Sequence, residues 1–428
     1  MVSFVFKLYN SDSFTVKDAI EVNLNDSSKF HYNFWKQKTH LYQIPQYFKK
    51  EAIDLLYISM MVFYADRIVG RDKEPDAWTR HIELYIPVLA YDKWCTVGDT
   101  LKKALGFLTG DIWVLHFRKR PCITEDEAKY DRAKWRFRKS TKRLVADKFC
   151  MLSGGLDSFI GAINLLKEEE KIIFVGNYNG GKGVSVYQNK VIEFLTDHFG
   201  VSRACFYQFY AAPINATEDT TRSRSLLFFC HAIVLASGMG KPIDLCIPEN
   251  GVISLNIPLT VHRMGSLSTR TTHPYYIRLL QQIINELGLQ IRLYNPFQFK
   301  TKGEMMLECK DLDFLKEHYV WTMSCSHPDL GRWIKESGSS HCGVCLPCTI
   351  RRAAIMKAGI EDKSVYRDPN YNNGEAKMNL RSYKLGLSIK KNPLIAIQES
   401  GPITERRQDY ADLYERGLKE LKDFIDLL

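Results

Sequence analysis

The segment Ser153-Gly154-Gly155-Leu156-Asp157-Ser158 constrains the fold of this chain more than any other feature. It lies between a predicted strand and a predicted helix. Two adjacent glycines let a ligand approach the backbone closely, and successive N–H groups at a helix start form an anion-binding nest. Ser153 and Ser158 can donate hydroxyls to phosphate, and Asp157 fits beside phosphate if Mg²⁺ bridges the two. The segment therefore predicts a phosphate-binding loop; a serine-capped turn is the alternative.

Strands and helices alternate from this loop onward. The predicted strands are 149–152, 171–175, 205–209, 244–247 and 291–294. The predicted helices are 159–166, 187–199, 226–236 and 275–287. Such alternation indicates a doubly wound parallel sheet, and ligands of these sheets lie at the carboxyl ends of the strands. The predicted fold class is therefore α/β.

The first 120 residues have a different pattern. Two predicted strands, His81–Val88 and Asp111–Phe117, flank a short predicted helix at Leu101–Leu108, which indicates a β-leaning α+β domain. We find no catalytic constellation here and interpret four polar residues as solvated surface groups. They are Asp66, Asp76, His81 and Glu83. At the other end, 406–428 has apolar residues three or four apart and predicts one amphipathic helix that packs on the protein.

A second glycine-rich segment, Gly176–Gly183, nearly matches a Walker A loop. Gly183 occupies the position that must be Ser or Thr to supply a hydroxyl to Mg²⁺, so we reject that interpretation. We expect the end of the second strand here to hold the adenine ring. Asn177 and Lys182 are the predicted nucleotide-binding residues, with Lys182 facing substrate or phosphate.

Four cysteines are bunched in the pattern Cys325…Cys342-Gly-Val-Cys345-Leu-Pro-Cys348. Thiolates two residues apart can ligate one ion from a tight turn, and four thiolates make a closed structural Zn²⁺ site. We therefore predict zinc. An iron–sulfur cluster and free or redox thiols remain alternatives, although the Cys-x₃-Cys-Pro continuation of bacterial ferredoxins is absent from the sequence. His327 and His341 lie beside the cysteines and could replace one of them.

Composition is that of a globular protein: 45% of the 428 residues are apolar and 25% are charged. Eleven cysteines are present, and this odd count argues against a disulfide framework. The most apolar run, 226–236, is about half the length of a membrane-spanning helix. A cleavable leader pattern is also missing at the N-terminus. We expect a cytoplasmic protein with no membrane partner.

Most of the net charge of +10 lies in residues 118–148, where 12 basic and 5 acidic residues give +7. Aromatic residues interleave the basic ones in Lys134-Trp135-Arg136-Phe137-Arg138-Lys139. Such a stretch can bind nucleic acid through phosphate charge and stacking. It can equally be a solvated helix or strand that joins two domains. We do not favour nucleic acid on the sequence alone.

Together these motifs resemble the QueC family of 7-cyano-7-deazaguanine synthases, which are pyrophosphate-loop ATPases. The loop at 153–158 and the Cys-x₁₆-Cys-x₂-Cys-x₂-Cys pattern have the family's order, over about residues 145–360. Further matching segments are Asn177–Gly180, Arg222–Leu227, Pro296–Glu304 and Arg351–Arg352. The segment from Glu249 to Pro274 departs from the family's acceptor-side pattern. A long QueC-like chain with an N-terminal addition is similar to QatC of the four-component Qat anti-phage systems and to QueC-like subunits of some CBASS operons.

The resemblance implies adenylation of a 7-carboxy-7-deazaguanine-like carboxylate with ATP, Mg²⁺ and Zn²⁺. Asp157 would hold the metal, and the rest of the loop would hold pyrophosphate: Ser153, Gly154, Gly155, Leu156 and Ser158. Arg222 or Arg224 would neutralise developing charge. Glu249 is the candidate acceptor for the guanine-like N–H edge, with Arg270 and His273 as further substrate residues.

Four functions follow from this resemblance. The activated carboxylate is expected to pass to an amine of a partner protein from the same operon, in anti-phage defence. The alternatives are conventional nitrile synthesis with ammonia, modification of a nucleic acid, and nucleotide binding without catalysis. We predict an added docking domain at 1–140, the QueC-like domain at 145–362 and a C-terminal extension at 363–428.

Overall fold

A computed structural model describes residues 1–178, 182–220, 222–259, 270–329 and 338–428, without the side chains of Lys38, Thr39, Lys182 and Gly183. The strands are β1 Val2–Lys7, β2 Ile20–Asn23, β3 Phe30–Tyr32, β4 His81–Val88, β5 Ile112–Lys119, β6 Lys148–Met151, β7 Ile172–Asn177, β8 Phe206–Phe209, β9 Ala211–Pro213, β10 Ile243–Cys246 and β11 Ile291–Tyr294. The α-helices are α1 Lys38–Tyr42, α2 Lys50–Ile68, α3 Tyr91–Thr109, α4 Glu125–Arg136, α5 Leu156–Lys167, α6 Lys182–Phe199, α7 Arg224–Ser237, α8 Gly251–Leu255, α9 Pro274–Glu286, α10 Lys302–Leu307, α11 Leu312–His318, α12 Leu346–Lys357, α13 Gly374–Ser388, α14 Pro393–Ala396 and α15 Arg407–Ile425.

The chain divides into two compact units. Unit 1 comprises Met1–Phe149, Tyr207–Leu245 and Tyr276–Leu293. Unit 2 comprises Cys150–Phe206, Cys246–Tyr275 and Tyr294–Leu428. The predicted domain boundaries remain a prediction.

The N-terminal sheet is four-stranded and has the order β2-β1-β4-β5. All its neighbours are parallel, with Phe4 opposite Leu84 and Ile82 opposite Trp113 in the register. Helices α2 and α3 lie in the connections along the chain. This region is therefore α/β. The sequence predicted an α+β domain, but the strands are parallel, and parallel strands need long connections such as those that contain α2 and α3.

The second sheet has five strands in the order β11-β10-β6-β7-β8. It confirms the α/β prediction, and each predicted strand and helix of this part is present within a few residues of its predicted bounds. From β6 the chain runs outward to β7 and β8 on one side, and β10 and β11 extend the other side. The strand order therefore reverses between β6 and β10, which is where ligands bind in sheets of this kind.

Asp66 corrects one sequence interpretation, because it is buried rather than solvated. Its Oδ1 pairs with the Arg80 guanidinium at 2.5 Å, and its Oδ2 accepts hydrogen bonds from the Ser223 hydroxyl and N–H. Arg80 also pairs with Asp111 at 2.6 Å. Buried charges are stable only when they are paired and hydrogen-bonded in this way, so the cluster is structural.

The C-terminal helix α15 confirms the predicted amphipathic helix. Five of its predicted apolar residues are buried: Tyr410, Leu413, Tyr414, Leu421 and Ile425. Two unit 2 hydrophobic clusters include these residues and place the helix in the core. Across the described ranges, we find no helix long and apolar enough to cross a membrane.

Candidate functional site

The segment 153–158 forms the turn between β6 and α5, as the sequence predicts. Gly155 is the N-cap of α5, and the Phe159 N–H closes the first turn on the Gly155 carbonyl at 3.0 Å. The Ser153 and Ser158 hydroxyl oxygens lie 3.1 Å apart, and the Gly155 N–H donates to Ser153 Oγ at 3.2 Å. Because the first N–H groups of a helix lack intrahelical partners, this turn supplies donors for an anion.

Both glycines of the loop have close neighbours, and Gly154 also has a backbone conformation that favours glycine. Gly154 has φ +84°, and a Cβ there would lie 3.0 Å from Cα of Gln188. Gln188 is buried, and its Nε2 donates to the Leu152 carbonyl at 2.6 Å. At Gly155 a Cβ would lie 3.3 Å from the Met323 carbonyl oxygen, and the Met323 N–H donates to the Gly154 carbonyl at 2.9 Å. Helix α6 and the segment before Cys325 therefore fix the loop from two sides.

Asp157 is only 5% exposed and lies at the centre of a polar cluster. Its Oδ1 pairs with Lys302 Nζ at 2.5 Å, and its Oδ2 accepts from the Asn250 backbone N–H at 3.1 Å and side-chain Nδ2 at 2.7 Å. Burial raises the pKa of Asp157, but the charge of Lys302 and the hydrogen bonds outweigh burial and bring that pKa down to about 2. Asp157 is therefore a carboxylate at neutral pH.

Glu249 joins this cluster as a second carboxyl group. Burial and the neighbouring charge of Asp157 raise the pKa of Glu249 well above its usual range. A hydrogen bond between the two carboxyl groups contributes to both shifts. Like charges at contact cannot both ionise easily, which favours the protonated form of Glu249 beside the Asp157 carboxylate. A divalent cation would allow both to ionise, so oxygen ligands for Mg²⁺ are present here.

The C-terminal helix supports the lysine of this cluster. Lys302 is the first residue of α10, whose N-terminus has a capping box made by Thr301 and Glu304. Glu420 of α15 accepts from the Thr301 hydroxyl at 2.5 Å and from the Gly303 N–H at 3.0 Å. Arg416, one turn earlier on α15, pairs with Glu304 at 2.7 Å. Two residues of α15 therefore fix the turn that presents Lys302 to Asp157.

The two arginines predicted to be catalytic lie in unit 1, whereas the loop lies in unit 2. Arg222 is buried, donates to the Thr109 carbonyl at 2.9 Å and lies 4.4 Å over the Trp78 ring. Arg224 begins α7, where burial and the nearby Arg67 lower its pKa. Their catalytic roles remain predictions.

The other predicted ligand-binding residues lie in unit 2. Asn177 ends β7, and its Oδ1 is buried with no hydrogen-bond partner among the described residues. The Lys182 side chain lies outside the described part of the chain. Arg270 follows an undescribed segment, and burial lowers its pKa. His273 is fully buried, accepts from the Tyr275 N–H at 3.2 Å, and has its pKa lowered to about 3 by burial, so it is neutral. Their contacts with substrate remain predictions.

The four cysteines at 325, 342, 345 and 348 converge, as the sequence predicts. Their sulfur atoms all lie within 4.8 Å of one another, with Cys342 to Cys348 at 3.8 Å and Cys325 to Cys345 at 4.0 Å. Backbone N–H groups of His327 and Cys342 each donate to the Cys325 sulfur at 3.3 Å. Such N–H donors stabilise thiolates, which are the metal-binding form of cysteine.

This geometry fits a tetrahedral zinc site. Four thiolates at about 2.3 Å from Zn²⁺ lie roughly 3.8 Å from one another, which agrees with the sulfur separations above. His341 has its Nδ1 3.8 Å from the Cys348 sulfur and its Nε2 3.0 Å from the Thr322 carbonyl oxygen, so it lies next to the cysteines. The cluster could hold zinc with four cysteine ligands and without a histidine.

The sheet order and the turn between β6 and α5 are those of an α/β protein, and the carboxyl pair lies at this turn. Residues 270–359 match the family model QueC, described as "Queuosine biosynthesis protein QueC". A 7-cyano-7-deazaguanine synthase from Rhizobium rhizogenes is 28% identical over 118 residues, which cover 27% of this chain and 45% of that relative. These matches support a QueC-like family. The chain therefore matches less than half the length of this curated relative, and the family-model match lies after the loop.

Three residues that bind Asp157 or hold the loop have no functional role predicted from the sequence. Lys302 and Asn250 bind the Asp157 carboxylate, and Gln188 holds the loop. Lys302 lies in the segment Pro296–Glu304, whose sequence resembles the family. That segment was the signal for Lys302, whereas Gln188 lies in an ordinary helical pattern with no such signal.

Proposed function

We propose that this chain adenylates the carboxylate of a 7-carboxy-7-deazaguanine-like compound and transfers the acyl group to an amine. The observation that carries the proposal is the loop at 153–158 with the Asp157–Glu249 pair beside it. The substrate class comes from the matched relative, whose name is 7-cyano-7-deazaguanine synthase. This chain matches 45% of that relative's length, and we propose the reaction for it on that basis.

The proposed chemistry has two balanced steps. A carboxylate oxygen attacks the α-phosphate of ATP, the bond between the α- and β-phosphates breaks, and acyl-AMP and pyrophosphate form. A neutral amine then attacks the acyl carbon, the bond to AMP breaks, and an amide forms with loss of one proton. The loop N–H groups, Ser153 and Ser158 would bind pyrophosphate. Asp157 and Glu249 would hold Mg²⁺, which neutralises triphosphate charge when bound, and Arg222 or Arg224 would assist.

We propose the α-amino group of a partner protein as the acceptor. An α-amino group has a reference pKa of about 7.7–8.0, against about 10.4 for lysine, so more of it is neutral and nucleophilic at pH 7. The departure of 249–274 from the family pattern and the N-terminal addition support an acceptor other than ammonia. We propose that this activity serves anti-phage defence and that the partner is encoded in the same operon; the N-terminal addition to a QueC-like chain, as in QatC, supports this proposal.

The test compares the purified chain with its Asp157→Ala variant. Each is incubated with ATP, 7-carboxy-7-deazaguanine and either ammonia or the neighbouring gene products. We expect AMP release and a mass increase at a partner N-terminus with the wild-type chain, and neither with the variant. Efficient nitrile formation with no mass added to any partner would identify a conventional synthase. Wild-type-like AMP release by the variant would reject the role of Asp157.

A further inference from the structure

We propose that the C-terminal end of α4 and the residues after it bind single-stranded nucleic acid. We call this surface the basic–aromatic patch. Its cations are Arg132, Arg136, Arg138, Lys139 and Lys142, and its rings are Trp135 and Phe137. The patch lies within unit 1, and the inference does not depend on the proposed enzyme activity.

Between residues 132 and 143, some basic side chains face solvent and others make structural contacts. All five cations of the patch are exposed, and no acidic residue occurs between Arg132 and Ala146. Lys134, by contrast, is buried and donates to the Ile44 carbonyl at 2.5 Å. Arg143 donates to the Pro45 carbonyl at 2.8 Å. The positive charge that remains on the surface is therefore concentrated on one short segment and suits a chain of phosphates.

Two aromatic rings stand among these charges. Trp135 is 62% exposed and Phe137 is 42% exposed. The Arg138 guanidinium lies 4.1 Å from the Trp135 ring centroid, and its Nη1 donates to the Trp135 carbonyl at 2.7 Å. The Phe137 ring stacks on Tyr42 with centroids 6.1 Å apart. Each ring is thus held in place while much of its surface stays accessible for stacking.

The base of the patch is anchored by a helix cap and by buried packing. Helix α4 starts with a capping box in which Thr124 and Glu127 hydrogen-bond each other's backbone. Tyr130, on the same helix, is buried and stacks on Phe48 with centroids 5.0 Å apart. A ligand would therefore meet rings that are already held by contacts on an anchored helix end, which lowers the entropic cost of binding.

Cations and accessible rings together favour unpaired nucleotides. Bases of a single strand offer both phosphates and free ring faces, and every base can stack. A duplex offers phosphates while its bases stay stacked on each other. An acidic peptide offers negative charge and no base to stack. The patch therefore fits a single strand better than either.

The test measures fluorescence anisotropy of labelled oligo-dT and oligo-rU of about 20 nucleotides, long enough to span a site of about 4–16 nucleotides, without ATP. A duplex and a poly-glutamate peptide of similar length serve as competing ligands. The variants are Trp135→Ala and the charge reversal Arg136→Glu with Arg138→Glu. Their matched controls are Trp321→Ala, at another exposed tryptophan, and Lys103→Glu with Lys377→Glu, at exposed lysines elsewhere. Circular dichroism confirms that each variant is folded.

We expect the single strands to bind with a slope of log K against log[salt] of roughly −3 to −4, as five phosphate contacts predict. Trp135→Ala should weaken binding roughly 5- to 100-fold, and the charge reversal should weaken binding and flatten the salt dependence. The controls should bind like the wild-type chain. Absence of binding at low salt, equal or tighter binding of poly-glutamate or duplex, or an unaffected Trp135→Ala variant would each overturn the proposal.

Discussion

At Asp157, burial and charge act in opposite directions. Burial opposes ionisation, yet Lys302 and Asn250 stabilise the carboxylate enough to keep its pKa at about 2. At Glu249 the balance reverses, because burial and the charge of Asp157 both raise its pKa. Two adjacent carboxyl groups whose pKa values are shifted in opposite directions are a recognised sign of a functional site. The proposed metal-binding role of Glu249 adds to its predicted contact with substrate.

Glu249→Gln tests these two roles. Because burial and the charge of Asp157 favour the neutral form of Glu249, the amide should preserve the fold and change the unfolding free energy by less than about 1 kcal/mol. Loss of an ionisable ligand should raise the Mg²⁺ concentration needed for half-maximal AMP release by roughly tenfold or more. Glu308→Gln, at an exposed carboxylate of unit 2, is the control. An unchanged Mg²⁺ dependence with a raised KM for the deazaguanine would assign Glu249 to substrate instead.

Among the elements, α15 does more than cover apolar surface. Its apolar face is buried, while Glu420 and Arg416 bind the start of α10, whose first residue is Lys302. A Cβ at Gly303 would lie 2.7 Å from Glu420 Oε2, so α10 and α15 pack closely at this turn. The C-terminal extension therefore supports a residue that binds Asp157.

Glu420→Ala should destabilise the protein and slow its chemistry. The change leaves the Thr301 hydroxyl and the Gly303 N–H without their acceptor, which should cost about 1–3 kcal/mol in the free energy of unfolding. AMP release should also fall, because Lys302 follows Thr301 directly. Urea denaturation and AMP release at pH 7 measure the two effects, with the exposed Glu415→Ala on the same helix as control. A loss of stability with unchanged turnover would restrict α15 to a structural role.

At the scale of the whole molecule, the site of unit 2 is assembled from distant parts of the chain. Lys302 lies 145 residues after Asp157, and Glu420 lies 119 residues after Thr301. The cysteine cluster joins the same assembly, because Met323, two residues before Cys325, hydrogen-bonds Gly154 of the loop. A closed metal site holds its surrounding chain in place, so zinc would order the loop as well as its own segment.

Removal of zinc tests this connection. We expect elemental analysis to find one zinc per chain and a strong chelator to remove it. Amide hydrogen exchange should then accelerate at 322–326, at 341–349 and at the loop 153–158, while β4 of unit 1 keeps its protection. Cys325→Ser should reproduce this pattern, and Cys205→Ser, outside the cluster, should not. Faster exchange around the cysteines alone would show that the metal does not support the loop.

How much the sequence predicts depends on how far apart the interacting residues lie. Three features depend on residues close together in the sequence: the turn at 153–158, the cysteine pattern and the alternation of strands and helices. The structure contains all three. Helix α2 was missed because it is buried along nearly its whole length, so it lacks the polar face that reveals a helix in a sequence.

Local chemistry therefore determined the turn at 153–158, the cluster of four cysteines and the α/β alternation from residue 148 onward, whereas the parallel pairing of the N-terminal strands was not predicted. Tertiary structure alone decided which charges meet. It pairs Asp157 with Lys302 and Glu249, and it buries Asp66 against Arg80. It also buries Lys134, while the basic residues around it stay exposed. The physical reason is that charge and burial act through space. The ionisation and accessibility of a side chain depend on neighbours that sequence distance does not indicate.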